Sequence, residues 1–206
     1  MARPPTSAFV TAVPPDLCLA YANTRFWRGR PVPVDRLGES EALFAWLGGP
    51  GGLGAPATER LAARARRRPR VAATILADAL ALREAIYRIF SARAVGSPVA
   101  EADVAKLNRA LAEAPARGRL VRRDGAYGWR IGRLRLAAPS LLAPVLWSAG
   151  DLLVGSSSVR LRRCANDECL WLFLDASKAG TRRWCDMASC GNRAKARRHY
   201  LKSKQA

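Results

Sequence analysis

The sequence predicts an α+β fold: a mostly helical N-terminal domain with one β-hairpin, followed by a small cysteine-centred module. Three patterns point to it. Ile75, Ala79, Leu82, Ile86 and Ile89 recur at alternating four- and three-residue spacings, the single apolar stripe of a core-facing helix. Between Tyr127 and Leu136 the period drops to two, with Trp129, Ile131, Leu134 and Leu136 set against Arg130, Arg133 and Arg135. Near the C-terminus, Cys164, Cys169, Cys185 and Cys190 stand as C-x4-C, fifteen residues, C-x4-C.

Each element can be argued in order. Residues 1–15 hold four prolines and one arginine, and read as a flexible N-terminus. From Asp16 to Phe26 the chain is apolar and then polar, ending in Trp27-Arg28-Gly29; a strand running into a loop and a short helix both fit. Leu43, Phe44, Trp46 and Leu47 follow a helix start at Glu39 or Ser40, and Gly48 to Pro56 is a loop. Residues 57–68 are helical in pattern and end in Arg66-Arg67-Arg68-Pro69, a solvated helix end at a proline stop. The strongest helix spans 70–94. Gly96 ends it, and Ser97 with Pro98 is placed to cap the next helix, which carries Val104, Leu107 and Leu111 and stops near Pro115.

Residues 120–123, the turn Asp124-Gly125 and residues 127–136 make the hairpin, with Gly132 permitting a bulge. A further helix covers 143–154, with Pro144 tolerable in its first turn and Val145, Leu146, Ala149, Leu152 and Leu153 as its buried face. Gly155 and the serines after it read as a linker over 155–159. The expected domains are therefore 16–154 and 160–206. No internal repeat is visible.

The charge bounds the partner. The 206 residues carry 35 bases against 16 acids, a net charge of +19, which favours an anionic partner and above all nucleic acid. Residues 160–206 alone hold 12 bases and 4 acids. A GC-rich coding bias accounts for arginine in place of lysine, but not for the surplus of bases. No apolar run approaches the roughly 20 residues that span a bilayer, and residues 1–15 show no signal-peptide core, so a cytoplasmic protein with reduced thiols is expected. Reduced thiols favour metal over disulfides. The fifth cysteine, Cys18, lies in Leu17-Cys18-Leu19 and reads as a small buried hydrophobe. The single histidine, His199, leaves few general-base designs, and Gly48 to Gly54 lacks the Lys-Ser/Thr ending of a phosphate loop, so an enzyme is not expected.

Four thiolates suit tetrahedral zinc and close its coordination shell, so one structural Zn2+ is expected on Cys164, Cys169, Cys185 and Cys190. A segment of about forty residues buries little apolar surface. A structural zinc supplies roughly 10–16 kcal/mol instead. The strand-like run 170–175 places the first pair on a hairpin and the second at a helix start, a treble-clef-like zinc finger. Trp171, Phe173 and Trp184 are its expected core. Loss of one thiolate is expected to unfold the module and leave residues 16–154 folded. The helix that follows is basic. Arg182, Arg183, Lys195, Arg197, Arg198 and Lys202 are candidates for phosphates, and Asn192 and Arg193 for base edges. Asn23, Thr24 and Arg25, beside Trp27, are the candidate pocket for a small-molecule ligand.

The stretch Arg163-Cys164-x4-Cys169-x-Trp-Leu-Phe-Leu-Asp175-x-Ser177, followed by Arg182-Arg183-Trp184-Cys185-x4-Cys190-Gly191-Asn192-Arg193-x-Lys195, resembles the CGNR zinc-finger family. Upstream, Leu19-x-Tyr-Ala-Asn23-Thr24, Leu43-x-x-Trp46-Leu47, Leu82-Arg83-Glu84-Ala85-Ile86 and Leu107-Asn108-x-Ala-Leu111 resemble the ABATE domain, a family named for stress-induced transcription regulation. The resemblance covers about residues 16–200. It implies a bacterial, DNA-binding transcription regulator whose N-terminal domain senses a ligand or binds another protein. An RNA- or ribosome-associated zinc protein is the alternative, since charge and zinc serve folded RNA equally well. A finger this small reads few base pairs, so a homodimer is also considered, although no heptad supports one.

Overall fold

The computed structural model describes residues 7–155 and 160–204, the side chains of 197–199 and 201–202 excepted. The ambiguous segment after Asp16 is helix α1 (Leu17–Ala22), followed by strand β2 (Arg25–Phe26), which pairs antiparallel with β3 (Val34–Asp35). Five of the six α1 residues are buried, so the helix has almost no polar face and shows no amphipathic period. Then come α2 (Ser40–Gly48), α3 (Ala55–Arg66), α4 (Pro69–Ala94), α5 (Glu101–Glu113), the single turn α6 (Ala138–Leu141) and α7 (Ala143–Val154).

Helix α4 is the centre of the domain. Its stripe of Ile75, Ala79, Leu82, Ile86 and Ile89 is buried, and it packs against α1, α2, α3, α5 and α6. Each fully buried Ile or Leu contributes about 1.5–3 kcal/mol. Tyr21 of α1 is wholly buried, and its hydroxyl donates to the Ala79 carbonyl at 2.7 Å. Pro69 begins α4 where a proline costs no helical hydrogen bond. On α7, Val145, Leu146 and Ala149 are buried while Leu152 and Leu153 are half-buried.

Three expectations are corrected. Part of the supposed flexible N-terminus is a strand: β1 (Ala8–Val10) pairs antiparallel with the second hairpin strand. Ala8 and Val10 are buried on the core side of that sheet, beside Ile131. Phe9, on the other face, lies over Gly128, where a Cβ would sit 2.7 Å from its ring. Secondly, Ser97 and Pro98 do not cap α5, whose N-cap is Ala100. Ser97 Oγ donates to the Ala92 carbonyl, closing α4. Val104, expected on the apolar face of α5, is 37% exposed, while Asp103 is buried and pairs with Arg88 of α4 at 2.8 Å. Thirdly, the second hairpin arm is shorter than its alternation suggests. The hairpin is β4 (Arg119–Arg123) and β5 (Ala126–Ile131), with Asp124 and Gly125 both at positive φ as a type I′ turn requires. Beyond Ile131 the chain leaves the sheet, Arg133 taking φ 44°, and Leu134 drops into the core. The sheet order is β1-β5-β4, leaving β4 at an edge.

The C-terminal module is an antiparallel pair, β6 (Leu161–Arg163) and β7 (Leu172–Leu174), then a π-helical turn over Met187–Gly191 and helix α8 (Asn192–Ser203). Hairpin then helix is the treble-clef-like order. The module is not an appendage. Leu172 belongs to the main core, Leu161 and Leu174 pack against it, and β6 and β7 lie on α4. No helix among the described residues is long and apolar enough to cross a membrane.

Candidate metal centre and its docking surface

The four cysteine sulfurs lie within 4.8 Å of one another. Zinc–thiolate bonds of about 2.3 Å define a tetrahedron with sulfur–sulfur edges of about 3.8 Å. The Cys169–Cys185 and Cys185–Cys190 separations are 3.7 and 3.8 Å. Donor type, number and spacing thus fit one structural Zn2+ with no position left for water.

Local bonding explains why four residues separate each pair. In the first knuckle Asn166 makes an Asx turn: its Oδ1 accepts from Glu168 N–H at 3.1 Å and its carbonyl from Cys169 N–H at 2.8 Å. Leu170 adopts φ 57°, and Cys164 N–H donates to the Trp171 carbonyl, so the chain turns directly into β7. In the second, Asp186 accepts from Ser189 N–H at 2.8 Å, and the wide π turn delivers Cys190 to the metal before α8 begins. The Asn166 amide also donates to Cys190 Sγ at 3.5 Å, joining the two knuckles. Such outer bonds orient the ligands and stabilise thiolate charge. Asp175 accepts from Ser177 Oγ at 2.6 Å and from Arg182 N–H at 3.0 Å, which ties the segment ahead of Cys185 to the end of β7.

The Cys164, Cys169 and Cys185 thiols do not ionise alike: their mutual hydrogen bonds favour the Cys164 thiolate at the expense of the other two. Bonds from Cys169 and Cys185 pull the Cys164 thiol down to about 2, while Cys169 is pushed up and Cys185 reaches about 12, both chiefly through Cys164. A bound zinc stabilises all four thiolates at once. Cys18 lies apart and wholly buried, its thiol pushed up to about 12 by desolvation, as a packing residue should be. Phe173 is buried against the cysteines, with Trp171 and Trp184 packed beside it.

The N-terminal domain grips this module. The Asn23 amide donates to the Leu172 carbonyl at 2.8 Å and accepts from Leu172 N–H at 3.0 Å, serving as a one-residue strand partner for β7. Tyr87 Oη donates to the Leu170 carbonyl at 3.0 Å, and Arg163 to Ser91 Oγ at 3.0 Å. Gly29 N–H donates to the Glu168 carbonyl; a Cβ at Gly29 would fall 1.7 Å from the Asp167 carbonyl oxygen, so the close approach requires glycine. Phe26 meets Trp171 edge to face at 4.7 Å. The Arg193 guanidinium lies 4.4 Å from the Trp27 ring, and that of Arg30 lies 4.1 Å from it.

A charged network underlies the contact. Arg83, its side chain 2% exposed, donates to Asp35 at 2.7 Å, Thr24 Oγ at 3.2 Å and Glu84 at 3.1 Å. Arg28 donates to Glu84 at 2.7 Å and the Ala22 carbonyl at 2.8 Å, and stacks 3.7 Å over Tyr87. Burial alone would raise the Asp35 and Glu84 carboxyls, but the bonds and charges of Arg83 and Arg28 outweigh it and hold both below the usual range.

The expected pocket at Asn23, Thr24 and Arg25 is thus taken up by internal partners. Asn23 holds Leu172, Thr24 Oγ donates to the Tyr21 carbonyl, and Arg25 pairs with Glu84 at 3.5 Å. A cavity of about 400 Å³ lies between α2 and α3, away from all three. Among the nucleic-acid candidates, Asn192, Arg193 and Lys195 are exposed at the start of α8, and Arg183 is exposed ahead of Cys185. Arg182 is turned inward: it donates to the Trp184 and Cys185 carbonyls and lies over Phe173, so it braces the knuckle and is not available to phosphates. The side chains of Arg197, Arg198 and Lys202 lie outside the described residues. Sequence reasoning missed the docking role of Trp27, Gly29, Tyr87 and Arg163. Its visible signs were Trp27 beside the candidate pocket and Arg163 in the CGNR-like stretch.

Two family models match successive stretches of the chain. The ABATE model, described as "Putative stress-induced transcription regulator", matches residues 15–156. The CGNR zinc-finger model matches residues 160–203. No curated protein matches the chain.

Proposed function

We propose, from the premise that this chain belongs to the ABATE family, that it is a DNA-binding transcription regulator whose N-terminal domain adjusts the pose of the zinc module. The observation that carries this is the start of α8. A closed zinc centre, with no catalytic position, leads straight into exposed Asn192, Arg193 and Lys195 on the more basic part of the chain. Lys195, Arg183, Arg197, Arg198 and Lys202 contact phosphates, and Asn192 and Arg193 reach base edges, where arginine favours guanine and asparagine adenine. A ligand or partner protein acts through Asn23, Thr24 and Arg25, because Asn23 holds β7 and any shift in it moves that strand. The protein works in the cytoplasm, where its thiols stay reduced.

The test is capture of sheared genomic DNA by the reduced, zinc-loaded protein at physiological salt, followed by sequencing. A few sharply enriched sites are expected. Uniform recovery would refute sequence-specific regulation, and preferential retention of folded RNA in a parallel capture would replace it with the RNA-associated reading.

A further inference from the structure

The arginines of the β4–β5 hairpin take no part in the zinc module or its docking. From Arg117 to Arg135 the chain carries seven arginines and one acid, Asp124, so this stretch supplies +6 of the +11 on residues 1–159. All seven arginines are exposed. Arg117 pairs with Asp151 and Arg123 with its neighbour Asp124; among the described residues the other five have no ion pair. The register sharpens the imbalance, since Arg119 lies directly opposite Arg130. Like charges set across a strand pair destabilise it, and no carboxylate relieves these two.

Side chains alternate between faces. Arg119, Arg123 and Arg130 therefore share the solvent face with Phe9, while Arg122 shares the other with Leu120 and Tyr127, which are 54% and 64% exposed. Both faces are thus cationic near the turn, and among the described residues β4 has no strand on its outer side.

We propose that this hairpin is a second nucleic-acid contact, a two-stranded ribbon that grips the phosphate backbone of duplex DNA in addition to the zinc module. Two strands about 4.8 Å apart fit a major groove about 12 Å wide. Charge chooses the occupant. A second copy of the chain would bring the same arginines to the same edge. The exposed apolar groups, Leu120 and Tyr127, are too few for a lipid surface to bury. DNA phosphates neutralise the opposed arginines and release counterions. The choice of DNA rests on the function proposed above.

The experiment is the salt dependence of binding to a random duplex by the full, zinc-loaded chain. Three proteins are compared with the natural sequence: one carrying Arg119→Ser, Arg122→Ser, Arg123→Ser and Arg130→Ser, one carrying lysine at the same four positions, and one carrying Arg193→Ala with Lys195→Ala. Each phosphate contact adds about 0.9 to the slope of log affinity against log salt. The serine set is expected to lower the slope by about two to three units, with the lysine set keeping it. An unchanged slope in the serine set, at normal zinc content and melting, overturns the hairpin and leaves the zinc-module reading standing. A slope that responds to the hairpin but not to Arg193 and Lys195 does the reverse. A natural protein that binds no duplex overturns both. Should the serine set fold poorly, Arg122→Glu alone carries the test: a several-fold weaker binding supports the hairpin, and equal binding rejects it.

Discussion

Asn23 holds a strand of the zinc module with a single side chain. Leu172 is 1% exposed, so without Asn23 its N–H and carbonyl would be buried and unpaired. Each such loss costs about 1–3 kcal/mol. Asn23→Ala should therefore destabilise the protein by about 2–4 kcal/mol, read as a lower urea midpoint; a change under about 0.5 kcal/mol would mean that water replaces the clamp. Gly29→Ala should be at least as harmful, since its new Cβ meets backbone and no flexible side chain can yield. At the proposed reading surface, Arg193→Ala should weaken enriched sites more than random DNA. Equal losses on both would reduce Arg193 to a phosphate contact. The zinc ligands were legible from spacing alone, because coordination chemistry dictates it. Asn23 was legible only as a polar residue in a turn, because its partner lies 149 residues away.

At the scale of elements, legibility follows how local the cause is. The α4 stripe and the Asp124-Gly125 turn declare themselves because period and turn chemistry are written in neighbouring residues. Strand β1 does not, because three residues among prolines gain their strand character only from β5, some 120 positions on. Helix α1 hides for the opposite reason: burial on nearly all sides erases its period. The contact between α4 and the β2–β3 pair makes a pH prediction. Asp35 and Glu84 have folded-state values below their unfolded ones, so their contribution is complete above the ordinary carboxylate range. It is lost as pH falls through the depressed folded values. Melting temperature should fall between about pH 5 and pH 3. Asp35→Asn should lower stability at pH 7 and flatten that decline; a parallel decline in the variant would assign the acid lability elsewhere.

The whole molecule is expected to unfold as one unit in consequence. Leu172 sits in the main core and β6 and β7 lie on α4, so the module cannot come apart without exposing the N-terminal domain. The sequence suggested two bodies joined by a linker, since composition changes at Gly155 and nothing in the local pattern shows that the second body folds back onto the first. Cys185→Ser, or removal of zinc by a chelator, should therefore lower the melting temperature of the helical domain as well as that of the module. A single transition is expected by circular dichroism and by tryptophan fluorescence. Two transitions, with the helical one unmoved, would restore the picture of independent parts.

The clamp at Asn23 also sets an order of events during synthesis. Residue 23 leaves the ribosome long before residue 172, by roughly 7–30 s at 5–20 residues per second. Until the module is made, Asn23, Tyr87 and the Gly29 amide stand without their partners on the nascent helical domain. Residues 160–203 would close this face only once they had captured a metal ion. A cell short of zinc would accumulate chains that are fully translated yet unfinished, with the open seam exposed to proteases, and the abundance of the protein would track the metal supply without any change in its transcription.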